Sequence, residues 1–328
     1  MKTKIFTLMA IITMATTANA ADALSGKFTI NSRGDQVFFS KGNLQASTSD
    51  YGESWTWDFA LNQWDYIGKA ASNDAILEDG TVSVNAPVDL FCWSTPSTYY
   101  GINSTTSDLP GRFIDWGATI GEGWYTLSKD EWVYLFHGRS KADELFGLGS
   151  VNGINGTIIL PDNWTLPEGA IFNKAKDNNL VWSNGGYDDY YYYFNEHGYN
   201  FSHNTYTIGQ WETMERAGAV FLPAAGYRTY TIVYHSGEIG HYWSSTRDGE
   251  CCAYYLYFDQ VTLEPQNYEA PRDFGYSVRL VLDSSAPAGI EEINAAAIQE
   301  DSRKIFHDGQ LFIRCGEEIF NAQGARVK

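Results

Sequence analysis

Two cysteines stand side by side in the stretch GHYWSSTRDGECCAYYLYF, as Cys251 and Cys252. Adjacent thiols are the raw material of a metal or redox pair. In a strand, however, neighbouring side chains point to opposite faces, so one ion has difficulty taking both thiolates. Zinc sites separate paired cysteines by roughly two to four residues, and a disulfide between neighbours needs strained local geometry. The run then alternates: Cys252, Tyr254, Leu256 and Phe258 on one face, Cys251, Ala253, Tyr255 and Tyr257 on the other. The expectation is that both cysteines fill a core as small apolar residues. The segment HSGEIGH offers His235, Glu238 and His241. Gly237 and Gly240 speak against a helix there, and the set lacks the i, i+4 histidine pairing that makes a helical zinc motif informative. No metal site is expected from it.

The stretch YDDYYYYFNEHGYNFSHNTY has the most unusual composition in the chain. Its periodicity is neither helical nor that of a half-buried strand. One reading is an inserted hairpin whose tyrosines pack among themselves. The other is an aromatic platform that stacks on sugar rings or a peptide, with Asp188, Asp189 and Glu196 supplying hydrogen bonds. On the second reading the candidate ligand-binding residues are Trp182, Tyr190, Tyr192 and His197, then Trp243. Glu264 to Asn267 read EPQN, which resembles the Glu-Pro-Asn triplet of calcium-dependent lectins with an extra Gln. That resemblance implies calcium; otherwise no cofactor and no catalytic residue is expected. The chain has no G-x-S-x-G, no P-loop and no dinucleotide fingerprint.

The formal net charge is −18, and losing Lys2 and Lys4 takes it to −20. Such acidity repels phosphate backbones and anionic lipid, so nucleic acid and bare membrane are excluded as partners. A glycan or an extracellular protein is the expected partner. Aromatic residues make up 16% of the chain, with 22 Tyr and 11 Trp; those left at a surface favour ligand contact. Four cysteines are too few for a disulfide-stapled scaffold, so a core must carry stability. One disulfide, Cys92 with Cys251 or Cys252, is compatible with the count; its connectivity is not readable from sequence.

These residues need elements to hold them. MKTKIFTLMAIITMATTANA has a basic start, an apolar stretch and Ala18-Asn19-Ala20, the pattern of a signal peptide over residues 1–20. No later segment is apolar enough to span a membrane. A globular domain is expected over 24–282, a linker over 283–301 around DSSAPAGI, and a short β tail over 302–328. KFTI and QVFF flank NSRGD as a hairpin. LSKDEWVYLFHGR reads as a helix capped by Ser128 with Glu131, and TIGQWETMERAG as a second, capped by Thr207 with Gln210 and ended by Gly218. Short strands follow: AVFLPAAGYR, TIVYH, HYWSST, CCAYYLYFD and YSVRLVL. Two helices among many short strands, without β-α alternation, predict an α+β fold. In the tail, Asp308-Gly309 between two apolar runs predicts a further hairpin.

The segments VFFSKGNLQ, TWDFALNQWDYIG, DLFCWSTPS, WYTLSKDEWVYLFHGR, VNGINGTIILPDNWTLPEG, MERAGAVFLPAAGYR, YWSST and YSVRLVL occur in that order. Together they resemble a group of exported Bacteroidetes proteins, mostly of unknown function. That group is in turn distantly similar to the C-type-lectin-like fold of formylglycine-generating (sulfatase-modifying) enzymes and of Fibrobacter paralogous surface domains. LSKDEW matches the Leu-Pro-Thr-x-x-Glu-Trp helix of those proteins, and Val278-Arg279 their closing strand. The resemblance implies a twisted antiparallel sheet, two main helices and long binding loops. It does not carry over the enzymes' chemistry, because neither Cys251-Cys252 nor Cys315 aligns with their working cysteines and HSGEIGH is not the three-ligand histidine cluster of iron-dependent relatives. Gly309-Gln310-Leu311-Phe312-Ile313 and Phe320-Asn321-Ala322-Gln323-Gly324 resemble a Bacteroidetes sorting tail. The expectation is therefore a non-catalytic binding protein, secreted or on the outer surface of a Gram-negative cell. The alternatives are a metal- or cysteine-dependent oxidase and a structural subunit of a surface appendage.

Overall fold

Local signals set the two main helices. Ser128 Oγ accepts from the Glu131 amide at 3.3 Å, and the Glu131 carboxylate accepts from the Ser128 amide at 2.7 Å. This capping box starts the helix Lys129–Val133, which widens into a π-helical turn, Tyr134–Gly138. Thr207 and Gln210 form the same box at the head of Ile208–Arg216, and the chain leaves that helix through Gly218, whose φ is 96°. A third, four-residue helix, Gly117–Ile120, carried no sequence signal. Gly117 is there because a Cβ would collide with the Trp124 carbonyl.

The computed structural model describes residues 22–49, 54–68, 87–94, 113–178, 180–184, 190–194, 200–229 and 232–286, and three strands of the tail. The signal-like segment 1–20, most of the linker, His197 and the carboxylates Asp188, Asp189 and Glu196 lie outside the described residues. The described residues fall into two compact units, the first ending at Ala286.

The first unit is mostly β-sheet with few helices, an α+β architecture. A five-stranded antiparallel sheet runs in the order Gly240–Asp248, Cys252–Phe258, Thr262–Pro271, Tyr190–Phe194, Leu180–Asn184. A four-stranded sheet has the order Phe28–Thr29, Gln36–Phe39, Leu280–Asp283, Trp124–Thr126. The strand formed last along the chain thus lies inside it, between one from the start of the unit and one from the middle. A third sheet joins Thr205–Tyr206, Phe146–Val151, Ile154–Ile159 and Val220–Pro223.

At the Gly240–Asp248 and Cys252–Phe258 strands both faces of the large sheet pack into cores, and their alternation feeds two of them. Tyr242, Leu256 and Phe258 join Phe39, Trp132 and Phe136 in one. Trp243, Ala253 and Tyr255 join Trp93, Trp116 and Trp124 in the other. Each such side chain contributes about 1.5–3 kcal/mol on burial. The cysteines depart from the expectation. Cys251 is exposed and Cys252 half-buried, and Cys92, Cys251 and Cys252 are all unbridged. The strand begins only at Cys252; Cys251 lies in the turn that follows Gly249 (φ 56°). Strict alternation therefore begins only at Cys252 and leaves out Cys251, at a hairpin end beyond the cores.

Arg279 is buried and tied by three donor contacts, from Nη1 to Asn43 Oδ1 at 3.2 Å and from Nη2 to Gln63 Oε1 and the Phe221 carbonyl at 2.9 Å each. Burial lowers its pKa to about 10, still a cation at neutral pH. It links segments far apart in sequence. In the second unit Ser302–His307 pairs with Gln310–Cys315 in the register His307 to Gln310, and Glu318–Asn321 adds a third strand. Asp308 and Gly309 themselves lie outside the described residues.

Candidate functional site

The π-helical turn ends at Gly138, and Arg139 then leaves in extended conformation. This brings His137 to the surface at the end of the turn. Across from it, Leu180–Asn184 and Tyr190–Phe194 pair as a hairpin in which Trp182 lies opposite Tyr192. The exposed His137 ring lies flat on Trp182, with centroids 4.0 Å apart and planes at 9°. Tyr192 packs against the indole at 4.4 Å. Tyr192 is buried while Trp182 is half-buried against the same core.

The hydrogen bonds fix the chemistry of the histidine. Tyr192 donates its single hydroxyl proton to the Phe136 carbonyl at 3.0 Å. The same oxygen is 3.1 Å from His137 Nδ1 and so must accept from it. Nδ1 carries the proton. Burial against Trp182 and Tyr192 lowers the His137 pKa from its ordinary value, the nearby Asp143 only partly opposing this. The ring is neutral at neutral pH, so Nε2 is left with a free lone pair. Burial likewise pushes the Tyr192 phenol up, keeping it protonated.

His137, Trp182 and Tyr192 line a cavity of about 350 Å³ with Arg139, Lys141 and Asp143 on its rim. It thus combines a ring face, a neutral acceptor, a carboxylate and cations. Such a set can stack on an apolar ring face and hold hydroxyls in fixed directions.

Of the residues singled out from sequence, Trp182 and Tyr192 meet in this cavity. Tyr190 lies two positions along the same strand, opposite Asn184, and His197 is outside the described residues. Trp243 is elsewhere: it is 1% exposed, donates from Nε1 to the Phe91 carbonyl at 2.6 Å and stacks on Tyr276 at 4.2 Å. Its strand is covered on both faces, so no face is left for a ligand. His235 and Glu238 pair at the surface at 3.1 Å, whereas His241 is buried on the next strand, its Nδ1 without a partner. Glu264 and Asn267 satisfy each other by a short hydrogen bond within one strand. No group of three or more metal-ligating side chains occurs among the described residues. No helix among them is long and apolar enough to cross a membrane.

Sequence reasoning missed His137, which had no signal beyond its position in a helical pattern. It also missed an aromatic strip built from distant segments. Tyr227 stacks on Tyr234 at 5.5 Å and on Phe274 at 5.8 Å, beside the His241 cluster with Tyr255, Tyr257 and Tyr276.

Fold and site together define a β-rich α+β domain with an aromatic, hydrogen-bonding groove. Residues 202–281 match a family model described as a domain of unknown function (DUF8237). That span holds the Ile208–Arg216 helix, most of the large sheet and Arg279, and stops short of His137, Trp182 and Tyr192. No curated protein and no solved structure matches the chain.

Proposed function

We propose that the first unit is a non-catalytic binding domain of the C-type-lectin-like kind that holds a glycan in the groove of His137, Trp182 and Tyr192. The carrying observation is the stack of His137 on Trp182, fixed in one tautomer by the Tyr192 hydroxyl. A sugar offers an apolar ring face and hydroxyl donors. The groove offers a supported ring and an Nε2 acceptor held in place before binding, which lowers the ordering cost of association. The signal-like start of the chain and the acidic composition support an exported location, secreted or on the outer surface of a Gram-negative cell. The sequence resemblance of the tail supports a role in routing.

A glycan array probed with wild-type protein and with Trp182→Ala tests this reading. Truncating a central aromatic anchor costs more than about 1.4 kcal/mol, so retention falls about tenfold or more. Retention untouched by Trp182→Ala, with the circular dichroism of the variant unchanged, overturns the reading. So does an array on which wild-type protein retains no glycan.

A further inference from the structure

Among the groove's neighbours one side chain is unaccounted for. Arg139 is buried and fully engaged within the protein's own frame: it donates to the carbonyls of Leu135, Leu160 and Leu145, three of its four contacts, and pairs with Asp162 at 3.3 Å. Lys176 pairs with Glu144 at 3.1 Å and Asp143 at 3.6 Å. Lys141, exposed at the rim, has no side-chain hydrogen bond or ion pair among the described residues. It also sits at φ 56°, ψ 33°, in the left-handed region. A residue with a Cβ pays roughly 1–2 kcal/mol there that Gly does not, and Asn is among the few side chains found there routinely. The backbone alone would be better served by either, so the lysine's presence points to its ammonium group. Arg139, two residues earlier, anchors the turn that presents it.

The sign of charge at this cavity runs against the rest of the molecule. Arg139 is offset by Asp162, and Lys176 by Asp143 and Glu144, which leaves Lys141 as the uncompensated charge among the described residues lining this cavity, in a chain of net charge −18. The adjoining cavity of about 670 Å³ shares Arg139 and Lys141 and adds Lys174 against Glu144 and Asp162. Two other concave sites among the described residues keep the chain's sign. Glu168 lines the cavity beside Ile171 and His203, with no Lys or Arg among the described residues there. Asp35, Glu131 and Asp283 outnumber Arg33 in the cavity by Tyr125. A negatively charged molecule meets repulsion at those places and an unpaired ammonium beside the stacked rings at this one.

We propose that the ligand of the groove is an acidic carbohydrate, one whose ring stacks at His137 and Trp182 while its carboxylate or sulfate pairs with Lys141. This rests on the glycan-binding reading and adds the ligand's charge class. The ring supplies the apolar face and hydroxyls; the acid group is the part that Lys141 selects.

The test is calorimetric titration with oligogalacturonate and with its methyl ester, which keeps the skeleton and removes the charge. Chondroitin sulfate oligosaccharides and their desulfated form make the parallel pair for sulfate. The variant is Lys141→Asn, which suits the left-handed backbone, with Lys141→Arg as the charge-preserving control. Wild-type and Lys141→Arg proteins should bind at least one acid form about two- to fivefold tighter than its neutral partner, the span of one well-placed exposed ion pair. This preference should shrink as salt is raised and vanish in Lys141→Asn. Equal binding of acid and neutral forms, or a preference that survives Lys141→Asn, sinks the inference while leaving glycan binding intact. Binding of no carbohydrate, acid or neutral, removes both. Binding of poly-glutamate in place of the oligosaccharides overturns the carbohydrate assignment.

Discussion

Replacing Tyr192 by Phe removes one oxygen atom from the groove and leaves its shape. Tyr192 is 4% exposed, and its ring packs on Phe146 at 5.2 Å as well as on Trp182. The phenyl ring keeps those contacts. What is lost is the oxygen that takes a proton from His137 Nδ1 and gives one to the Phe136 carbonyl. Leaving that carbonyl unpaired costs about 1 kcal/mol of folding stability. The effect on binding is smaller and of a different kind. Without the phenol, both neutral tautomers of His137 become available. If they populate equally, half of the molecules lose the Nε2 acceptor, and apparent affinity falls about twofold, roughly 0.4 kcal/mol. Long-range nitrogen–proton NMR of the imidazole reads the tautomer directly, and calorimetry reads the affinity. Wild-type protein should show the Nδ1–H form and Tyr192→Phe a mixture. A wild-type spectrum of the Nε2–H form refutes the proton assignment. A tenfold loss of affinity refutes the indirect role, since it requires the hydroxyl itself to touch the ligand.

Burial lowers the His241 pKa from 6.5 to about 3. Between those values the unfolded chain takes up a proton that the folded chain refuses. Its contribution is complete above pH 6.5 and declines on acidification, by up to ~1.4 kcal/mol per pH unit. Urea titrations of His241→Phe at pH 4, 5 and 6 should show that decline flattened. Asp89 behaves oppositely. Burial raises its pKa from 3.8 to about 7, despite the 2.6 Å bond it accepts from the Ile67 amide. The folded chain holds the proton in that window, so stability is complete below pH 3.8 and declines as pH rises through 7. Asp89→Asn should therefore raise the melting temperature at pH 8 more than at pH 4; an equal rise at both, seen by calorimetry, would rule out titration as the cause. Gly117→Ala places a methyl against the Trp124 carbonyl and should cost about 1–3 kcal/mol in denaturant unfolding.

What the sequence disclosed was mostly what a few neighbouring residues decide among themselves. Ser128 with Glu131 and Thr207 with Gln210 announced two helices, because a capping box is completed within one turn. The KFTI–QVFF hairpin and the tail hairpin were legible for the same reason. Alternation sorted Leu256 and Phe258 from Ala253 and Tyr255 correctly, then failed at Cys251, where the strand had not yet begun. The groove was half visible: Tyr192 stood in a conspicuous run and Trp182 just before it, whereas His137 came from a helix end 45 residues earlier than Trp182. Trp243 looked like a binding residue because aromatic composition does not reveal whether a strand is covered on one face or two. Arg279 and the Tyr227 strip depend on segments that meet only in the folded chain, and no local pattern encodes such a meeting.

The strand Leu280–Asp283 closes its sheet from within, between Gln36–Phe39 and Trp124–Thr126. A chain still emerging from a ribosome or threading a narrow pore has a gap there until residue 283 is free. Until then Gln36–Phe39 can pair only with Phe28–Thr29 and Trp124–Thr126 has no partner in this sheet, and Arg279 has not yet arrived to join Asn43, Gln63 and Phe221. Completion of the domain is thereby deferred to the final stretch of its own synthesis.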